Sequence, residues 1–320
     1  MAEASPAAFG AASADATRGG GAPVARHRRP AGHIRRLWAY GFVAPAVLAL
    51  AAAFLYPLVA VIRFSFYSGS LGNLIYVGTA NYEGLWQDPV FIGSLLNNLK
   101  LLGTVPIMTV LALIIALILN AQLRGWRQYR AIVFLPYILP ATSIGLTFSF
   151  LLQENGVLNT QLRHWHLGIL AQDWLGSATH VVPTIGSVII WQQLGFGVVV
   201  FAAALLAVPQ ELIEAARIDG ATGWQIQWSI LLPQIRRVIE FFVIVEAITV
   251  LSAIFTYVYV LTKGGPADSS SVMEYYIFNN GFDNGAIGVA SAAVVVLLLL
   301  ASVLIVIYLR LRARAAEPGR

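Results

Sequence analysis

The chain alternates between long apolar runs and shorter polar segments. Six runs stand out, at residues 37–62, 101–119, 131–152, 181–208, 238–261 and 287–309. A helix needs about 20 apolar residues to cross the hydrocarbon core of a bilayer, and each run is close to or above that length. The expected fold class is all-α: a polytopic membrane protein with six transmembrane helices. Pro106, Pro136 and Pro140 fall inside these runs. A proline there removes a backbone donor and is expected to kink its helix.

The polar segment between the fourth and fifth runs carries the most local structure. Pro209 fixes φ where a helix starts, and Glu211 and Glu214 lie in the first turns, where the positive helix end favours carboxylates. Residues 211–218 read as that short helix. Asp219-Gly220 then breaks it, because glycine tolerates the left-handed backbone of a tight reversal. Thr222 is placed to cap a second helix. Trp224, Trp228, Leu231 and Ile235 recur at helical spacing and give that helix one apolar face. The expectation is a helix–turn–helix at the membrane surface.

Charge orients the spans. Hydrophobic residues make up 58% of the chain and charged residues 11%, against about 25% charged in soluble domains. The net charge of +5 raises a nucleic-acid reading, but the basic residues sit at the ends of spans and are accounted for by topology. With a cytoplasmic N-terminus, sixteen Lys and Arg fall on inner segments and four (Arg63, Lys100, Arg163 and Lys263) on outer ones. The positive-inside bias therefore puts both termini, and the segment 209–237, in the cytoplasm. Residues 1–36, rich in Ala, Gly, Ser and Pro and then Arg, are expected to be a disordered basic cytoplasmic tail. Residues 37–311 form the six-span domain and 312–320 a short cytoplasmic tail. The first run has no charge over residues 37–62, longer than the apolar core of a signal peptide, and is read as a retained span.

Candidate chemistry is sparse. The chain has no Cys, hence no disulfide or thiolate metal site. His164 and His166 lack a visible third ligand, so no metal site is expected. The lysines are Lys100 and Lys263, and neither is followed by Ser or Thr. No phosphate-cradling G-x-x-x-x-G-K-[ST] loop can form. No catalytic residue and no cofactor is expected. Glu246 lies deep in the fifth run, where a carboxylate costs about 2.5–3.5 kcal/mol to insert. Two readings stand: an acceptor lining a path for a hydroxylated solute, or a polar contact between helices. Tyr257 and Tyr259 are either rings that contact a solute on that path or ordinary interfacial aromatics.

Glu214-Ala215-Ala216, Asp219-Gly220-Ala221 and Ile230-x-Leu232-Pro233, at this spacing, resemble the EAA loop of ABC importer permeases. Gln227 stands where an aromatic residue is usual and Arg237 where a second proline is common. Tyr56-Pro57, Asn81-Tyr82, Asp88-Pro89-x-Phe91, Phe134-Leu135-Pro136 and Gly264-Gly265-Pro266 follow in the order seen in permeases of carbohydrate and glycerol-phosphate importers. Thr256 replaces the usual acidic residue of that pattern. The resemblance implies a permease subunit, in a bacterial inner membrane, that admits a sugar, polyol or glycerol-phosphate. It implies that Glu214, Ala215, Ala216, Asp219, Gly220, Ala221, Leu232 and Pro233 couple to a separate ATPase. The implied partners are a second related permease chain, two cytoplasmic ATPase subunits, an external solute-binding protein and membrane lipid, with no nucleic acid. The alternative is a self-sufficient secondary transporter using Glu246 as an ion or proton site. Such proteins often carry an internal repeat, and none is evident.

Overall fold

The computed structural model describes residues 32–69, 72–120 and 125–316. Most of the expected N-terminal tail, the last four residues and Arg124 therefore lie outside the described residues. The chain divides into two units, residues 1–55 and 56–320. The described part of the first belongs to helix α1, Gly32–Phe64. It begins five residues before the expected boundary at Leu37. The intervening residues include Arg35 and Arg36, and Arg is a good helix former.

Among its described residues the second unit combines helices with a two-residue antiparallel ladder, β1 (Tyr67–Ser68) with β2 (Ile75–Tyr76). Its helices are α2 (Ala80–Gln87), α3 (Pro89–Leu102), α4 (Thr104–Asn120), α5 (Trp126–Ile138), α6 (Ala141–Leu151) and α7 (Val157–His164). Then come α8 (Val181–Leu206), α9 (Gln210–Ile218), α10 (Gly223–Ile226), α11 (Leu232–Ser252), α12 (Phe255–Leu261), α13 (Met273–Phe278) and α14 (Ile287–Ala316).

α8 is apolar on all sides and packs most extensively on α4 and α5, as a helix without a polar face must. Two of its glycines set the approach distance. A Cβ on Gly195 would lie 2.5 Å from the Val133 carbonyl, and one on Gly197 would lie 2.8 Å from both Ala112 and the Phe242 ring. Met108, Phe201, Phe242 and Ile235 centre one core cluster, and Val105, Ile185, Val250 and Val258 centre another.

Among the described residues four helical stretches are long and apolar enough to cross a membrane, or six if two bent pairs each count as one span. The third expected span is α5 and α6, bent by 94°. Leu139, between them, is extended (φ −72°, ψ 141°), as the residue before a proline is driven to be. The fifth is α11 and α12, with α10 ahead of them, bent by 47° at Ala253-Ile254 without any proline. Pro106 kinks nothing in mid-span. It lies in the first turn of α4, where its missing N–H costs no helical bond. The second span also starts earlier than residue 101, because the helix extends back through α3 to Pro89, with Asn97 and Asn98 buried.

Candidate functional site

The loop between α8 and α11 is built largely from local rules. α9 starts after Pro209 and closes in a Schellman arrangement. The Ala221 N–H donates to the Ala216 carbonyl (2.9 Å) and the Gly220 N–H to that of Arg217 (3.1 Å). Gly220 sits at φ +80°, with no atom within 4 Å of where a Cβ would be. Backbone conformation, and not space, requires glycine here. Thr222 and Gln225 form a reciprocal capping box at the start of α10.

Within this loop Glu214, Ala215, Asp219 and Gly220 are exposed, while Ala216 is buried and Ala221 half-buried. Leu232 is half-buried and Pro233 exposed. Ala216, Ile226 and Leu231 join the core cluster of α4 and α8, so the exposed residues stand on an anchored stem.

The expected second helix differs from a single regular one. Residues Gln227–Leu231 form a π-turn, in which the Leu232 N–H donates to the Gln227 carbonyl. Pro233 has no N–H to continue the ordinary ladder, and the π-turn adjusts the ladder just ahead of it. The extra residue in the turn divides the predicted apolar face. Leu231 and Ile235 are buried, but Trp224 and Trp228 are 67% and 55% exposed, their rings 5.3 Å apart. At the start of α11, Arg236 pairs with Glu240 at 2.8 Å, one turn along.

The residues singled out in the fifth span are not brought into one surface. Glu246 is 2% exposed and its Oε2 has no hydrogen-bond partner among the described residues. Tyr257 is also buried, and its hydroxyl donates to Gln192 Oε1 on α8. Gln192 Nε2 in turn donates to the Leu139 carbonyl at the α5–α6 bend, 2.9 Å away. Tyr259 is exposed and lies among rings. It stacks on Phe255 at 5.3 Å and meets Phe278 edge-on at 5.6 Å.

Sequence reasoning missed Gln192 and a polar row on α3. Ser94 bonds Ser271 (2.9 Å), Asn97 donates to the carbonyls of Ser269 and Ser271, and Asn98 donates to Glu274 Oε2 at 3.1 Å. The Met273 N–H returns to Asn98 Oδ1 (2.7 Å). The spacing of 94, 97 and 98 puts these residues on one helix face, a signal that was legible once the segment was read as helix. Burial pushes the Glu274 carboxyl up to about 7, against bonds from Asn98 and backbone N–H groups that pull it down. Among the described residues no three His, Asp or Glu side chains converge as metal ligands.

Over residues 101–317 the chain matches the family described as the binding-protein-dependent transport system inner membrane component. It is 33% identical to the lactose transport system permease protein of Rhizobium radiobacter, over 74% of this chain and 81% of that one. It is 28% identical to an sn-glycerol-3-phosphate transport system permease protein of Rhizobium meliloti, over 68% and 74% of the two chains. A crystal structure of a bacterial ABC transporter involved in import of the acidic polysaccharide alginate shares the fold. The TM-score is 0.78 at 24% identity, covering 89% of this chain and 98% of that one.

Proposed function

Because the chain belongs to the family of binding-protein-dependent transport system inner membrane components, we propose that it admits a sugar, or a related polyol or glycerol-phosphate, into a bacterial cell. It is a multi-pass transmembrane permease subunit of an ABC importer. That membership favours the importer over the ion-driven secondary transporter.

In this reading the protein sits in the inner membrane as six spans with both termini in the cytoplasm. Residues 37–311 form the permease domain, between tails at 1–36 and 312–320. ATP is hydrolysed by two separate cytoplasmic subunits, and an external binding protein delivers the solute. A second, related permease chain completes the path. Glu214, Ala215, Ala216, Asp219, Gly220, Ala221, Leu232 and Pro233 form the surface that meets the ATPase. Glu246, Tyr257 and Tyr259 belong to the solute path. Closure of the ATPase moves the loop and, through its anchored stem, α4, α8 and α11. Such coupling requires partners that bind two permease states with different affinity.

One observation carries the reading: exposed Glu214, Ala215, Asp219 and Gly220 stand on a stem fixed by buried Ala216, Ile226 and Leu231. The experiment is uptake into vesicles holding the complete importer, with and without ATP inside, alongside ATP hydrolysis by this chain alone. Uptake should require ATP, and the isolated chain should not hydrolyse it. Uptake driven by an ion gradient without ATP would return the secondary transporter. Reporter fusions after Lys263 and after Arg314 should face opposite sides of the membrane.

A further inference from the structure

Where the α2–α3 junction meets the segment 268–284 the chain holds a cavity of about 200 Å³, lined in part by Asp88, Asp268, Tyr275, Asn279, Asn280 and Asn284. No Lys, Arg or His is among its lining residues. It presents several acceptors, two of them carboxylates, together with amide and hydroxyl donors. Asp88 is held in place: its Oδ1 receives the Val90 N–H (2.8 Å) and its Oδ2 the Tyr276 hydroxyl (2.6 Å). Burial and that bond to Asp88 hold the Tyr276 phenol above its usual range, so it stays a donor committed to Asp88. Asn280 spends an amide hydrogen on the Tyr276 carbonyl, and Asn284 spends one on Asn279 Oδ1. The amide oxygens of Asn280 and Asn284 and the exposed carboxylate of Asp268 are left to receive hydrogen bonds.

One wall residue of the cavity, Tyr275, also belongs to a rack of rings. Tyr275, on the cavity wall, lies 6.5 Å from both Phe255 and Tyr259. Phe255 meets Phe278 at 5.0 Å, and Phe278 stacks on Phe282 at 5.3 Å. Phe282 is 79% exposed and Tyr259 40% exposed. Apolar ring surface of this extent at an exposed site, beside a cluster of acceptors, marks a binding surface. The ligand that suits both halves has many hydroxyl donors and flat C–H faces, which describes a sugar. An anionic group would meet two carboxylates with no cation in the lining.

We propose that this cavity and its ring rack are an outer subsite for the transported solute, selecting an uncharged sugar over a phosphorylated, sulfonated or carboxylated one. The proposal rests on the importer reading and on the outward placement of residues 262–286.

The test uses the complete importer in detergent, without the external binding protein, and saturation-transfer NMR. The probes are lactose and diacetylchitobiose as uncharged sugars and sn-glycerol 3-phosphate as the anion. Both sugars, or one of them, should receive transfer from aromatic protons, and glycerol 3-phosphate should receive none. Phe282→Ala and Asp268→Asn, at exposed positions that leave the fold unchanged, should each lower the sugar signal at least threefold. Asp268→Lys should allow glycerol 3-phosphate to bind. Transfer to neither sugar, sugar signals equal in wild type and variants, or equal engagement of the anion by the wild type would each overturn the proposal. ATP-driven uptake of glycerol 3-phosphate through the wild-type chain would overturn it while leaving the importer reading intact. Sugar engagement without ATP-dependent uptake of any solute would overturn the importer reading and, with it, the assignment of this site to a transported solute.

Discussion

The Tyr257 hydroxyl on α12 donates to Gln192 Oε1 on α8 across 2.5 Å, in the buried interior. The same Gln192 donates to the carbonyl of Leu139, which the 94° bend between α5 and α6 leaves outside any helix. One amide therefore ties the bend of the third span to α12, the shorter segment of the fifth. Tyr257 and Gln192 are both buried, so the hydrogen bonds they exchange stand in for solvent.

Gln192→Leu is expected to strand the Tyr257 hydroxyl and to leave the Leu139 carbonyl without its donor. An unsatisfied buried group costs about 1–3 kcal/mol. Tyr257→Phe removes one donor and leaves Gln192 bonded to Leu139, so its cost should be nearer ~1 kcal/mol. Thermal unfolding of the purified variants measures the order. A Tyr257→Phe protein as unstable as Gln192→Leu would show that the amide does not join the two bends.

Gly220→Val should leave the amount of protein in the membrane near normal and abolish uptake. Its φ of +80° is forbidding for a β-branched residue, while nothing surrounds the position. The strain, of order 1–3 kcal/mol, falls on an exposed reversal. What moves is the placement of Glu214 and Ala215. Co-purification of the ATPase with wild type and variant reads the effect. Full uptake with the ATPase retained would reduce the loop to a connector.

Glu274 should make stability depend on pH. Its carboxyl is raised to about 7 from an ordinary 4.5. A raised acid binds its proton more tightly in the folded protein than in the unfolded one. Its contribution is therefore greatest below about 4.5, declines as pH rises toward 7, and is level above that. Glu274→Gln should flatten this decline, by about 3 kcal/mol across the window. Thermal midpoints of both proteins between pH 4.5 and 8 test it. Parallel curves would mean that Glu274 does not titrate in this range.

Glu246→Gln keeps the shape of the side chain and removes its charge. If the carboxylate serves the solute path, uptake should change several-fold in KM or in rate while the assembled complex persists. Unchanged uptake at every solute concentration would leave Glu246 a contact between helices, in keeping with its 2% exposure.

Much of this protein was legible along the chain because the governing physics is local. An apolar run long enough to span is visible without any neighbour. The reversal at Asp219-Gly220 and the cap at Thr222 act within five residues, and both appear where the sequence places them. The π-turn was not legible. It shifts the helical phase by a residue, and the indole pair that spacing placed on one face with Leu231 and Ile235 is exposed while those two are buried.

The polar interior was decided by the tertiary structure. Ser94, Asn97 and Asn98 read as the end of a loop until their partners near residue 270 are in place. Asp88 and Tyr276 are 188 residues apart in sequence, and Gln192 looks like one polar residue in an apolar run. The energy of such a residue depends on which helix faces it, because in an apolar interior a hydrogen bond must come from another part of the chain. Periodicity specifies that a helix forms and which stripe is apolar. Which polar atom stands opposite Gln192 follows from the bends at Leu139 and Ala253, and the second of these has no proline to mark it in the sequence.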